Sequence, residues 1–222
     1  LPIYSNGADG IVFIMHSVPN VTGASGGTIG YNGINPSITI EFDTWQNADR
    51  QDPTFDHLGL MVDGDGFHST GDLVGPIQIS PTSANVEDCN DHPTIIEWDA
   101  TLQEISVTFD CDVRFTHQID IINTIFGGNP NVYWGFIATT GGATNIQTVC
   151  FASFPPPPPL NLQDGTICVG DNYQLNAPGG YVTYQWSPTT GLSNPTIPNP
   201  IANPSVTTTY VLTVTDDCGN TF

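Results

Sequence analysis

The sequence predicts an all-β protein built from two antiparallel β-sandwiches in series. Short runs of β-branched and aromatic residues recur between turn signals, helix-forming stretches are scarce, and one run of five prolines divides the chain. The 222 residues suffice for one large β domain or two smaller ones. Charged residues make up 11%, against about 25% in an average soluble domain, and abundant Thr, Asn, Gly and Pro suit a turn-rich extracellular protein.

Before the prolines the strand-like runs are "GIVFIMH", "SITIEFDTW", "HLGLMVD", "TIIEWD", "EISVTFDCDVRF", "VYWGFIATT" and "QTVCFASF". The composition breaks at "FPPPPPL", residues 154–160, where consecutive prolines enforce a stiff polyproline II spacer and end any ladder. This divides the chain into a first domain, 1–154, a linker, 155–163, and a second domain, 164–222. In the second domain "YQLNA", "VTYQWSP" and "TTTYVLTVTD" alternate as a small immunoglobulin-like sandwich would. Trp186 is expected in its core, and Cys168 and Cys218, before its first strand and after its last, to close it with a disulfide.

Two basic residues against 22 acidic ones give a formal charge of -20. Such a field repels phosphate backbones and anionic membrane surfaces, which argues against a nucleic-acid partner and for divalent cations or solubility in salt. Cysteines 89, 111, 150, 168 and 218 form no CxxC pair and no Cys/His ladder, so disulfides and an oxidising compartment are expected. No apolar run approaches the ~20 residues of a membrane helix. Leu1 opens without a targeting segment, and the native start is expected upstream.

The densest chemistry lies in "IEFDTWQNADRQDPTFDH", residues 40–57. On an extended strand Glu41, Asp43, Trp45 and Asn47 project to one side, and Phe42 and Thr44 to the other. Two carboxylates on one face are prohibitively costly to bury unless compensated, and Arg50 is the nearest basic residue. A metal ion is the natural compensator. Beyond Asn47 a polar loop leads to Asp52 and His57. Oxygen ligands from Asp43, Asn47, Asp52 and a backbone carbonyl suit Ca²⁺, whereas Glu41, Asp43 and Asp52 with one imidazole suit Mn²⁺ or a similar transition ion.

The spacing Glu-x-Asp-x-aromatic-x-Asn-x4-Asp-x4-His, filled by Glu41, Asp43, Trp45, Asn47, Asp52 and His57, resembles the metal motif of legume-type (L-type) lectins. The resemblance covers roughly residues 5–154 and implies a concanavalin-like antiparallel β-sandwich, or jelly roll. It implies Ca²⁺ held by Asp43, the Trp45 carbonyl, Asn47 and Asp52, beside a Mn²⁺-type ion held by Glu41, Asp43, Asp52 and His57. "GADGIVFIM" resembles the segment in which a cis peptide, here Ala8–Asp9, precedes the sugar-binding Asp; "SGGTIGY" resembles the glycine loop, and "VYWGFIATTGGATN" the late strand with its specificity loop. The implied carbohydrate contacts are Asp9, Gly26 or Gly27, Trp45 and Asn47, with Gly142 and Ala143 in the specificity loop. The family's opening strands are missing, so the partner of Cys150 is expected upstream of Leu1. Cys89 and Cys111 are the candidate disulfide of this domain.

Through "NTIFGGNPNVYWGF" the first domain especially resembles lectin-like modules on the surface of gliding and related bacteria, whose usual companions are immunoglobulin-like repeats that residues 164–222 resemble through "YQWSPTTGLSN" and "TTTYVLTVTD". The resemblance therefore implies a secreted or cell-surface bacterial adhesin that binds glycans, without membrane insertion and as part of a larger multidomain assembly. Two alternatives stand beside it: a structural adhesin or filament segment that binds no sugar, and a laminarinase-like glycosidase. The latter needs Glu-x-Asp-x-x-Glu, and Gln46 occupies the position of the second Glu. No enzymatic activity is expected. His16, His68, His92 and His117 lack ligand spacing and read as surface or half-buried residues, and "VDGDGFH", residues 62–68, reads as a hairpin turn.

Overall fold

A computed structural model of the chain describes residues 7–68, 72–151, 162–215, Gly219 and Thr221. The proline run and Cys218 lie outside the described residues. The chain divides into two compact units, Leu1–Thr148 and Val149–Phe222. Among the described residues no helix is long and apolar enough to cross a membrane.

In chain order the first unit carries β1 (Gly10–His16), β2 (Ser37–Asp43), β3 (His57–Val62), β4 (Asp72–Gln78), β5 (Thr94–Asp99), β6 (Glu104–Phe109), β7 (Asp112–Gln118) and β8 (Tyr133–Thr139). One antiparallel sheet has the order β4-β3-β2-β1-β8 and the other the order β5-β6-β7. Alternation decides what each face carries. Ile38, Ile40 and Phe42 of β2 and Leu58 and Leu60 of β3 meet Ile105, Val107 and Phe109 of β6 and Phe115 of β7 in one buried cluster. Burying each such side chain stabilises by about 1.5–3 kcal/mol, more than the net ~0.5–1.5 kcal/mol of a hydrogen bond. This apolar layer therefore joins the two sheets.

The opposite face of the larger sheet is closed by a loop. Val12 and Ile14 of β1 and Met61 of β3 pack there with Ile29, Tyr31 and Ile34. Glu41 and Asp43 occupy the alternate positions of β2, away from the core of the sandwich.

In the first unit the strand pattern departs from the sequence reading in ways that bear on the site and the cysteines. β2 ends at Asp43, so Trp45 and Asn47 reach their places through a loop and not by strand alternation. "EISVTFDCDVRF" is a hairpin, turning at Asp110 and Cys111, both with positive φ. β4 escapes the reading because Gly75 and Pro76 interrupt its pattern; it is an edge strand, where a missing N–H is tolerated. Residues 147–151 form no strand, so Cys150 is not in one, and it is an exposed free thiol.

The second unit pairs β10 (Thr183–Ser187) with β12 (Val211–Thr215) and β9 (Tyr173–Gln174) with β11 (Ile201–Ala202). Trp186 is buried with Leu212 and Val214, and its indole N–H donates to the Ile197 carbonyl at 3.0 Å. The expected Cys168–Cys218 disulfide is not formed, because Cys168 is an exposed free thiol; Cys218 itself lies outside the described residues.

The expected Cys89–Cys111 disulfide is not formed, because Cys89 is an exposed free thiol. Both cysteines sit at left-handed corners, φ 66° and 67°. The two corners are tied through His92 instead. Its ring nitrogens lie 3.1 Å from Asp88 and 2.8 Å from Asp110, and the ring stacks on Phe109.

Candidate metal centre and adjoining cleft

The site begins with a register. Glu41 of β2 lies opposite Gly59 of β3, and Asp43 lies opposite His57. A Cβ on residue 59 would stand 2.7 Å from Oε1 of Glu41, so only glycine leaves room for that carboxylate. Glu41 and Asp43 are each 3% exposed, Asp52 7% and His57 1%. Three acids at this burial need compensation, and among the described residues the ion-pair partners of Glu41 and Asp52 are imidazoles. Arg50 instead approaches Asp49 at 3.8 Å and lies over the Phe67 ring.

Tyr31 donates from its hydroxyl to Oε2 of Glu41 at 2.6 Å. The other oxygen, Oε1, is buried and, among the described residues, accepts no hydrogen bond. It faces Nε2 of His68 at 3.2 Å and Nε2 of His57 at 3.8 Å, and those two nitrogens are 2.7 Å apart. Ligand atoms of Glu41, His57 and His68 form one compact group, and those of Asp43, Asp52 and His57 another. His57 therefore belongs to both.

Burial raises Glu41 to about 7, with Asp52 and Asp72 adding to the rise and His68 and Tyr31 opposing it. Burial, then the Glu41 charge, holds Asp43 well above the usual carboxylate range. Burial, then His68, presses His57 down to about 3. For His68, burial is outweighed by the Asp72 hydrogen bond and the charges of Glu41, Asp72 and Asp52, so it is raised.

The loop after β2 builds the second half of the centre. Asp43 accepts the Trp45 N–H at 2.7 Å, and Asp52 accepts the Asn47 N–H at 2.6 Å. Asn47 precedes a 3-10 turn, Ala48–Arg50, without capping it through its side chain. Its Oδ1 is buried and, among the described residues, has no hydrogen-bond partner. Two orphaned acceptors, on Glu41 and Asn47, thus sit among clustered carboxylates and imidazoles. This donor set fits divalent cations: hard oxygens for Ca²⁺, and carboxylate with imidazole for a transition ion.

Beside it lies a cleft of about 350 Å³ lined by Asp9, Trp45 and Asn47, with the glycine-rich segments Gly26–Gly27 and Gly141–Ala143. All the residues implied as carbohydrate contacts, Asp9, Gly26, Gly27, Trp45, Asn47, Gly142 and Ala143, meet here. The Ala8–Asp9 peptide is cis. The Asp9 N–H donates to the Thr139 carbonyl at 2.8 Å, and the Asp9 carbonyl accepts the Thr44 N–H at 3.1 Å. Burial raises the Asp9 carboxyl, against a hydrogen bond from Thr139. Gly27 is packed against Asn47, whose side-chain amide stands where a Cβ on residue 27 would lie.

Sequence reasoning missed Tyr31, Gly59 and His68. Tyr31 ends the glycine-loop segment, where it read as context. His68 was expected among the scattered histidines, yet its side chain is 5% exposed and inside the metal group. The hairpin turn after β3 doubles back and returns His68 to His57, so the informative signal was the turn itself. His16 and His117 are half-buried, and His92 belongs to the Asp88–Asp110 tie.

The family model of the legume lectin beta-barrel domain matches residues 3–153. An L-type lectin-domain containing receptor kinase of Arabidopsis thaliana is 26% identical over 182 residues, 70% of this chain and 24% of the kinase. A serine-rich adhesin for platelets of Staphylococcus aureus is 26% identical over 170 residues, 67% of this chain and 7% of the adhesin. The chain thus spans a quarter or less of these curated relatives. Among solved structures, winged bean acidic lectin complexed with methyl-alpha-D-galactose is 24% identical, with 65% of this chain and 58% of that chain covered and a TM-score of 0.48. The Bauhinia forficata lectin in complex with GalNAc is 19% identical, with 62% and 60% covered and a TM-score of 0.47. With the family model matched over most of its length, the chain belongs to the L-type, or legume lectin, domain family.

Proposed function

We propose that residues 1–154 form a metal-dependent carbohydrate-binding module of a secreted or cell-surface bacterial adhesin. The observation that carries this reading is the cleft in which Asp9, Trp45, Asn47 and the two glycine segments meet beside the buried acidic cluster. Asn47 joins the two: its backbone N–H holds Asp52 while its side chain lines the cleft. The Staphylococcus aureus relative supports the adhesin setting.

In this reading Asp9 accepts hydrogen bonds from two sugar hydroxyls, and the Asn47 amide donates one from its NH₂. The Gly26–Gly27 backbone brings an N–H close because no side chain intervenes. The Trp45 ring stacks on the C–H face of the sugar, and Gly142 and Ala143 shape the rim. Asp43, the Trp45 carbonyl, Asn47 and Asp52 would hold Ca²⁺, and Glu41, Asp43, Asp52 and His57 a Mn²⁺-type ion. When bound, the ions supply the positive charge that lets the buried carboxylates stay ionised. Affinity per site is expected to be weak, with avidity from repetition along the assembly. Residues 164–222 are read as an immunoglobulin-like companion module, a reading supported by strands paired around Trp186.

The reading is non-catalytic, since Gln46 stands where a glycosidase needs its second carboxyl; here its amide donates to the Asp52 carbonyl. A glycan array probed with and without Ca²⁺, together with the Asp9→Ala variant, tests the proposal. Binding that needs both Ca²⁺ and Asp9 is the expected result. Binding indifferent to chelator and to Asp9 overturns it, and an array without hits beside metal-raised stability favours a structural segment.

A further inference from the structure

We infer that His68 is a ligand of the transition-ion subsite, adding a second imidazole to Glu41, Asp43, Asp52 and His57 and tuning that subsite toward nitrogen-preferring ions such as Zn²⁺ and Co²⁺. The inference rests on the metal-centre reading above.

Four features place the nitrogen. Nε2 of His68 stands 2.7 Å from Nε2 of His57, 3.2 Å from Oε1 of Glu41 and 3.5 Å from Oδ1 of Asp52. Ligand atoms on bonds of ~2.1 Å around a common ion stand about 3 Å apart, so these separations are those of one coordination shell. The opposite ring nitrogen, Nδ1, lies 3.1 and 3.2 Å from the two oxygens of Asp72. A carboxylate there keeps the proton on Nδ1 and turns the Nε2 lone pair toward the cluster, the usual outer partner of a metal-bound imidazole. His57 is anchored likewise by the backbone of Phe55. Two lone pairs and an unpartnered carboxylate oxygen then converge on one point, which demands a cation between them.

The competing arrangement is a plain hydrogen bond between the two rings. It satisfies one nitrogen of each and leaves the buried Oε1 of Glu41 orphaned. A shared ion satisfies all three. The chemistry follows from the ligand count: three carboxylates and one imidazole suit Mn²⁺, whereas a second imidazole raises the relative affinity for Zn²⁺ and Co²⁺.

The test uses the full chain, stripped with chelator and titrated by calorimetry with Zn²⁺ and Mn²⁺, as wild type, His68→Ala, His68→Gln and His57→Ala. Zn²⁺ already exceeds Mn²⁺ at most such sites, so the discriminating quantity is the change in their ratio. Loss of His68 should lower Zn²⁺ affinity by about tenfold or more and Mn²⁺ affinity by much less. Co²⁺-loaded wild type should show two exchangeable, paramagnetically shifted imidazole N–H resonances, and either His68 variant only one. An unchanged ratio with an unchanged spectrum, while His57→Ala loses binding, overturns the assignment of His68 alone. A wild-type protein that takes up no transition ion overturns the metal-centre reading and this inference together.

Discussion

The hydroxyl of Tyr31 and Oε2 of Glu41 meet at 2.6 Å, with both residues buried, the first on the loop that closes the sheet face and the second on β2. This bond turns one carboxylate oxygen away from the imidazoles and leaves the other facing them. Tyr31→Phe removes the donor and keeps the ring. A buried acceptor left unsatisfied costs about 1–3 kcal/mol, to be read by urea unfolding in chelator. Outer partners of metal ligands are typically worth about 10–100-fold in affinity, so Mn²⁺ or Zn²⁺ binding measured by calorimetry should weaken over that range. Unchanged stability and unchanged affinity would detach Tyr31 from the centre.

Gly59→Ala attacks the same carboxylate from the neighbouring strand. The added Cβ would lie 2.7 Å from Oε1 of Glu41 and 3.1 Å from the Met61 sulfur. The carboxylate is pinned by Tyr31 and cannot swing away, so an overpacking cost of about 1–3 kcal/mol is expected. Gly142→Ala is the matched control, because nothing lies within 4 Å of its Cβ. Its stability should stay within about 0.5 kcal/mol of wild type, as for an open surface site. Thermal unfolding of the pair separates the two cases.

Asp9→Ala should abolish glycan binding and spare the fold. The segment around Asp9 is held mainly by its backbone, through Thr139 at 2.8 Å and Thr44 at 3.1 Å, while its carboxylate adds one long hydrogen bond from the Thr139 hydroxyl at 3.5 Å. That carboxylate is buried against its own preference for water, as its raised pKa records. Its loss should therefore leave thermal stability within about 0.5 kcal/mol or raise it slightly. Retained glycan binding in this variant would move the ligand to another surface.

What the sequence made legible was what local periodicity encodes. The β-branched and aromatic runs "GIVFIMH" and "TIIEWD", bounded by turn signals, matched β1 and β5 residue for residue, and the unbroken spacing from Glu41 to His57 named the acidic cluster. What it hid depended on contacts between distant segments. Gly59 matters through a cross-strand register, Tyr31 through a loop folded over the sheet, and His68 through a turn that doubles back on β3. The Cys89–Cys111 pairing failed because two flanking positions do not specify geometry; His92 and two aspartates occupy that junction. β4 stayed hidden because its Gly-Pro pair reads as a turn, and only its place at the sheet edge makes it a strand.

The metal-free protein should lose stability as pH rises through the neutral range. Glu41 is held at about 7 against an ordinary 4.5, so between those values the folded protein keeps a proton that the unfolded chain has released. Stability therefore falls with pH across that window. Asp43 and Asp52 are also raised by burial and act in the same direction. His57 opposes them: lowered from 6.5 to about 3, it is neutral in the fold while the unfolded chain is protonated, so its contribution rises with pH up to about 6.5. Above that value His57 contributes no further change. His68, raised by Asp72 and its neighbours despite burial, adds to the fall, because the unfolded chain releases that proton before the folded one does. Calorimetry in chelator from about pH 5 to about pH 7.5 should show a falling Tm, and Glu41→Gln should flatten the fall. With Ca²⁺ and Mn²⁺ added, protons compete with the ions for the same groups, so the stabilisation by metal should grow over that range. A gap between the two curves that stays constant with pH would remove this cluster as the place where metal and protons compete.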